Sequence, residues 1–134
     1  MPHRILVVDD DTDVRDLVCR MLEQSGYEAV AAKDGRQALE RLSPLPPDLV
    51  ITDVVMPDVD GFEVLLKLRH LAPGVETMVM SGGGRVAPDF YLETARRLGA
   101  RAVLRKPFTK AEMLAAVRGI LGPAQPKTPP RQEP

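Results

Sequence analysis

The chain has 134 residues, 44% of them apolar and 28% charged, which suits one well-packed domain and leaves little room for a second. Eighteen Lys and Arg face 19 Asp and Glu, and the resulting net charge of -1 argues against a generally basic nucleic-acid binder. The single cysteine, Cys19, cannot close an internal disulfide. The opening apolar run Ile5–Val8 is too short for a signal-peptide core or a membrane span, so a cytoplasmic protein without a membrane partner is expected.

Five short apolar runs recur along the chain: Ile5–Val8, Tyr27–Ala32, Leu49–Thr52, Thr77–Met80 and Ala102–Leu104. Each is too short for a helix and most are rich in β-branched residues, so each reads as a strand. Between them the apolar spacing turns helical. Val14, Leu17, Val18, Met21 and Leu22 form the first buried face, with Asp11 or Thr12 as cap and Gly26 as stop. Ala38, Leu39 and Leu42 make a short second helix ended by Pro44, Pro46 and Pro47. Phe62, Leu65, Leu66 and Leu68 line a third, closed at Pro73-Gly74. Tyr91, Ala95 and Leu98 mark a fourth, opening near Pro88 and ending at Gly99. Met113, Leu114, Val117, Ile120 and Leu121 mark a fifth, capped by Thr109 and stopped at Gly122-Pro123.

Strict strand–helix alternation predicts an α/β fold, a five-stranded parallel sheet covered by helices on both faces in doubly wound, flavodoxin-like fashion. Run two carries Glu28 and run five is flanked by Arg101 and Arg105, as edge strands tolerate. The order 2-1-3-4-5 places those two at the edges with right-handed crossovers. The domain is expected over residues 1–121. Residues 122–134, with five prolines and few apolar side chains, read as a Pro-rich disordered tail or linker stub.

Ligands of such sheets bind at the carboxyl ends of the strands, where the strand order reverses. Asp9, Asp10 and Asp11 follow run one, Asp53 follows run three, Ser81 run four and Lys106 run five. Each has a plain reading alone: an N-cap aspartate, a turn residue, a loop hydroxyl, a solvated cation. Four such groups meeting on one rim have a joint chemical meaning. Two carboxylates about 5 Å apart repel by roughly 3 kcal/mol at an effective dielectric near 20, more than one lysine comfortably offsets. A hard divalent cation resolves this, and Mg²⁺ completes its shell with water and phosphate oxygens. The rim reads as a Mg²⁺ site awaiting a phosphoryl group.

Leu6-Val7-Val8-Asp9-Asp10, Asp53-Val54-Val55-Met56-Pro57 with Asp60-Gly61, Met80-Ser81, and Lys106-Pro107-Phe108 together closely resemble the receiver domain of two-component response regulators, over about residues 3–121. The resemblance implies that Asp53 accepts a phosphoryl group from a sensor histidine kinase or phosphotransfer protein, and that Asp10 and Asp53 hold Mg²⁺. It further implies that Asp9 supports the ion through water and that the carbonyl of Val55 completes the shell. Lys106 would pair with Asp53 and later with a phosphoryl oxygen, a cis Lys106-Pro107 bond aiming it inward. Ser81 would move to the phosphoryl group and pull Gly82-Gly83-Gly84 with it, glycines that let the backbone change shape at small cost. An aromatic residue usual in the family three positions before the lysine is here Val103. Valine has no ring to switch, which shifts the expected movement to the glycine loop and fourth helix. The face carrying Arg96, Arg97, Arg101 and Arg105 would bind partners or pair receivers as a phosphorylation-dependent homodimer; a solvated rim is the plainer reading. His3 and His70, each without a second ligand nearby, are read as surface or capping groups, and Cys19 as an inert half-buried thiol.

The expected function is a stand-alone, Mg²⁺-dependent receiver signalling to a downstream protein target. It is no enzyme beyond self-phosphotransfer and autodephosphorylation, and no direct nucleic-acid contact is expected. One alternative is an aspartyl-phosphate phosphohydrolase, whose motif would start at Asp9 and Asp11 but fails at Asp13. Another is a receiver-like scaffold that works unphosphorylated. A calcium loop over Asp9, Asp11 and Asp13 fails because Val14 stands where glycine is needed. A flavin-phosphate site fails because three aspartates would repel it.

Overall fold

The computed structural model describes residues 2–53, 61–81 and 88–124, with the side chains of residues 61, 62 and 88–92 outside the description. Ten elements alternate: β1 (Arg4–Val8), α1 (Thr12–Gln24), β2 (Glu28–Ala32), α2 (Gly35–Glu40), β3 (Leu49–Asp53), α3 (Gly61–Leu71), β4 (Glu76–Ser81), α4 (Pro88–Arg97), β5 (Ala102–Arg105) and α5 (Lys110–Leu121). The strands form one parallel sheet in the order β2-β1-β3-β4-β5, the expected doubly wound arrangement.

The period of two along the strands assigns the two faces. Ile5, Val7, Leu49, Ile51, Met78 and Met80 point to one face, where Val18 and Leu22 of α1 and Met113, Leu114 and Val117 of α5 cover them. Leu6, Val8 and Val50 point to the other, beneath Ala38 of α2 and Val64 and Leu68 of α3. Leu65, Val79 and Ala95 continue that second layer toward α4. All five residues of β3 are buried, as suits the central strand, whereas Glu28 of β2 and Arg105 of β5 reach solvent at the edges. Each fully buried Leu, Ile or Met contributes about 1.5–3 kcal/mol relative to exposure.

Helix ends follow local chemistry. The Asp11 carboxylate accepts from the amides of Asp13 and Val14, capping α1. Thr109 and Glu112 form a reciprocal capping box at the start of α5. Beyond α1, α4 and α5 the chain turns at Gly26, Gly99 and Gly122, all at positive φ, where a Cβ would be strained. The Tyr27 hydroxyl donates to the Gly122 carbonyl at 3.0 Å, tying the end of α5 to the α1–β2 corner.

Several sequence expectations need correction. Leu17 and Leu66, assigned to buried faces, are 48% and 47% exposed, while the unassigned Val64 is fully buried. Helix α2 stops at Glu40 with Arg41 as its cap, before the prolines thought to end it. Tyr27 precedes β2 but is fully buried. His3 is half-buried and stacks on Tyr27 with centroids 6.3 Å apart, more a packing group than a surface one; His70 is exposed. The assignments of Phe62 and Tyr91 to buried faces, and the tail reading beyond residue 124, lie outside the described residues.

Candidate functional site

The parallel sheet brings the polar ends of its strands to one rim. Asp9 leaves β1 fully buried, Asp53 ends β3 at 8% exposed, Ser81 ends β4 at 3% exposed, and Lys106 follows β5. The Lys106 ammonium donates to Asp9 Oδ2 and Asp53 Oδ2, each at 2.8 Å. Its backbone amide also donates to the Ser81 carbonyl at 2.8 Å. The Lys106-Pro107 bond is cis. Burial alone would pull the lysine down, but the hydrogen bonds and charges of Asp53 and Asp9 outweigh it and hold its pKa above the usual 10.5.

The sequence suggested one partner for Lys106; the fold supplies two. Asp9 is held on both oxygens, since Oδ1 accepts the Asp11 amide at 2.9 Å while Oδ2 meets Lys106. Asp10, one residue on, is exposed. A group the sequence reading passed over also reaches this rim. Arg15 Nη1 in α1 donates to the Asp9 carbonyl oxygen at 2.9 Å. Its signal in the sequence was a cation in the first turn of a helix, where the helix dipole favours anions.

Asp9, Asp10 and Asp53 each offer a carboxylate oxygen, all within 4.8 Å of one another. An all-oxygen donor set with one solvent-facing member fits a hard divalent cation that keeps several waters, such as Mg²⁺. Of the three carboxylates, Asp10 faces solvent, whereas Asp9 is committed to protein partners. Val55 and Gly82, expected respectively as a shell carbonyl and part of the switch, lie outside the described residues. Val103 is half-buried on β5, beside Val79 of β4, and packs against Leu65, Val79 and Ala95.

A separate cavity of about 750 Å³ opens at the amino-terminal rim of the strands, lined by residues that include His3, Leu42, Pro47, Asp48, Val75 and Leu121. None of the expected site residues among the described ones borders it. Cys19 packs half-buried beside the α1–α5 core. Burial raises its thiol pKa, Asp16 and Glu23 add to this, and Arg15 opposes them. Among the described residues no helix is long and apolar enough to cross a membrane.

The chain resembles known proteins along most of its length. It is 42% identical over 123 residues to the response regulator MprA of Mycolicibacterium vanbaalenii, covering 90% of this chain and 51% of the relative. It is 35% identical over 121 residues to the alkaline phosphatase synthesis transcriptional regulatory protein PhoP of Bacillus subtilis, covering 90% and 49%. The chain thus spans about half the length of these curated relatives. Among solved structures, the chemotaxis protein CheY4 of Vibrio cholerae superposes with a TM-score of 0.81 at 28% identity, covering 90% of this chain and all of that one. NtrX of Brucella abortus gives 0.80 at 32% identity, covering 90% of this chain and 27% of the other. The family model of the response regulator receiver domain matches residues 5–118, and with the sheet order and acidic rim described above, the chain belongs to that family.

Proposed function

We propose that this receiver takes a phosphoryl group on Asp53 from a histidine kinase or phosphotransfer protein and passes the signal through an altered protein-binding surface. The observation that carries the reading is the convergence of Lys106 on Asp9 and Asp53, each at 2.8 Å, beside the exposed Asp10. Asp9, Asp10 and Asp53, with the Val55 carbonyl, would hold Mg²⁺, which when bound would offset charge on the transferring phosphoryl oxygens.

In the transfer an Asp53 carboxylate oxygen attacks phosphorus. The new O–P bond forms as the donor's N–P bond breaks, and the electron pair returns to the imidazole nitrogen, which takes a proton from solvent. Lys106 keeps the carboxylate aimed and can then bond a phosphoryl oxygen by a charge-assisted hydrogen bond. Asp9 anchors the lysine from the buried side. The Ser81 hydroxyl, at the end of β4, would meet the phosphoryl group, and Ser81, Gly82 and Val103 would carry the response. The domain would end with α5 near residue 121, where Gly122 turns the chain at φ +81°, leaving 122–134 as a linker or tail. Output by contact with a separate protein, rather than a nucleic acid, and action in the cytoplasm belong to the same proposal. A phosphorylation-dependent homodimer through the arginine-bearing α4–β5 side belongs to it too.

The test is incubation with Mg²⁺ and acetyl phosphate, read by intact-protein mass. Wild type should gain one phosphoryl group and Asp53→Asn none. Continuous release of phosphate without a phosphoprotein would favour the phosphohydrolase, and a wild type left unmodified in Mg²⁺ would favour a scaffold working unphosphorylated. Because the curated relatives are about twice as long, a second reading makes this receiver one module of a longer regulator. The mass of the protein detected by antibody in native extract separates the two.

A further inference from the structure

We propose that Arg15 is a positioning residue for the divalent-cation site: its guanidinium pins the peptide that joins Asp9 to Asp10 and so sets the directions of both carboxylates. The inference rests on the Mg²⁺ role proposed for those residues. Arg15 lies in the first turn of α1, and its side chain folds back toward the helix start. Nη1 donates to the Asp9 carbonyl at 2.9 Å, and Nη2 stands 3.5 Å from Thr12 Oγ1. A cation there opposes the helix dipole, so local helix energetics do not explain it. What it does is hold one carbonyl. That carbonyl belongs to the peptide between a fully buried carboxylate bonded to Lys106 and a solvent-facing one, both members of the Asp9, Asp10 and Asp53 carboxylate cluster. Pinning it fixes one side chain toward Lys106 and the other toward solvent while both keep an oxygen in the cluster.

Charge and positioning predict opposite signs. As a mere positive charge near a cation site, Arg15 would weaken Mg²⁺ binding, and its removal would tighten it. As a positioning group it strengthens binding, and its loss should cost about tenfold in affinity, as outer-shell partners of metal ligands commonly do. Calorimetric titration of Mg²⁺ into the unphosphorylated protein reads this directly, with thermal unfolding in EDTA as the control on folding. Arg15→Met should bind about tenfold more weakly. Arg15→Lys keeps a cationic donor and should recover most of the loss. Should Arg15→Met fail to fold, Arg15→Gln makes the same comparison, being neutral, two bonds shorter and a good helix former. Equal or tighter binding by the neutral variant, or no recovery by Arg15→Lys, overturns the role of Arg15 while leaving the phosphoryl-transfer reading intact. A wild type that binds no Mg²⁺ overturns both.

Discussion

Replacing Lys106 by Met removes the ammonium that sits between two carboxylates while keeping a side chain of similar length. The oxygens offered by Asp9 and Asp53 lie within 4.8 Å, where two full charges repel by about 3 kcal/mol at an effective dielectric near 20. Breaking a buried ion pair costs about 3–5 kcal/mol. Because the side chains of Lys106 and Asp53 are 20% and 11% exposed, the lower end applies. We expect Lys106→Met to lose about 3 kcal/mol in EDTA, a fall in melting temperature on the order of 10 °C. Urea unfolding followed by circular dichroism is the assay, since the chain has no tryptophan. Added Mg²⁺ should recover a large part of the loss by supplying positive charge to the same oxygens. The pH dependence has a definite sign. The folded lysine is held above its usual 10.5, so its stabilisation is complete below that value and is lost as pH rises through the higher folded value. The gap between wild type and variant should therefore stay constant through neutral pH and close only in strong alkali. A variant as stable as wild type in EDTA, or a gap that closes near neutrality, would refute the reasoning.

Asp10→Asn should weaken Mg²⁺ binding with little effect on stability because Asp10 faces solvent. Asp9→Asn should destabilise the metal-free protein, because it removes the charge that pairs with Lys106 on the buried side; calorimetry and urea melts separate the two. Thr109→Ala removes half of the reciprocal cap, in which Thr109 Oγ1 and Glu112 Oε1 accept each other's backbone amides at 3.1 and 3.0 Å. It should cost about 1 kcal/mol, read in the same melts. Cys19, its thiol raised by burial and by Asp16 and Glu23, should alkylate severalfold more slowly than a free thiol in mild alkali. Denaturant should abolish the difference.

The strands were legible because each is a short apolar run bounded by charged or small residues, and their order because Glu28, Arg101 and Arg105 can lie only where solvent reaches. The positions of Asp9, Asp53, Ser81 and Lys106 at one rim follow from parallel topology alone, since every strand ends on the same side. What the pattern hid was directional. Leu17 and Leu66 fit a helical period, yet each lies at the margin of its stripe. The strip that a sheet covers is narrower than the run of apolar residues, and only packing picks Val64 and Leu65 over Leu66. The double engagement of Lys106 depends on Asp9 pointing inward. Arg15 depends on a side chain folding back along its helix, and spacing does not encode that.

Ser81 and Lys106 are joined by backbone as well as by the rim, since the Lys106 amide bonds the Ser81 carbonyl. On the proposed function, a change at Asp53 on phosphorylation would therefore act on β4 and β5 together. Val103 lies two residues before the end of β5, in register with Val79, and rests against Leu65 and Ala95. A β-branched side chain has a stiff χ1, and valine has no ring to swing between buried and exposed positions, so on the proposed function the response is expected as backbone displacement toward α4. With Mg²⁺ and beryllofluoride, backbone amide resonances of Thr94–Leu98 and Val103–Lys106 should shift more than those of Glu28–Ala32 on the far edge. Val103→Ala should roughly halve the α4 shifts while leaving those at Ser81 unchanged, because two methyl contacts to that layer are gone. Shifts confined to Asp9, Asp10, Asp53 and Lys106, with α4 still, would mean that the sheet absorbs the new charge without passing it on.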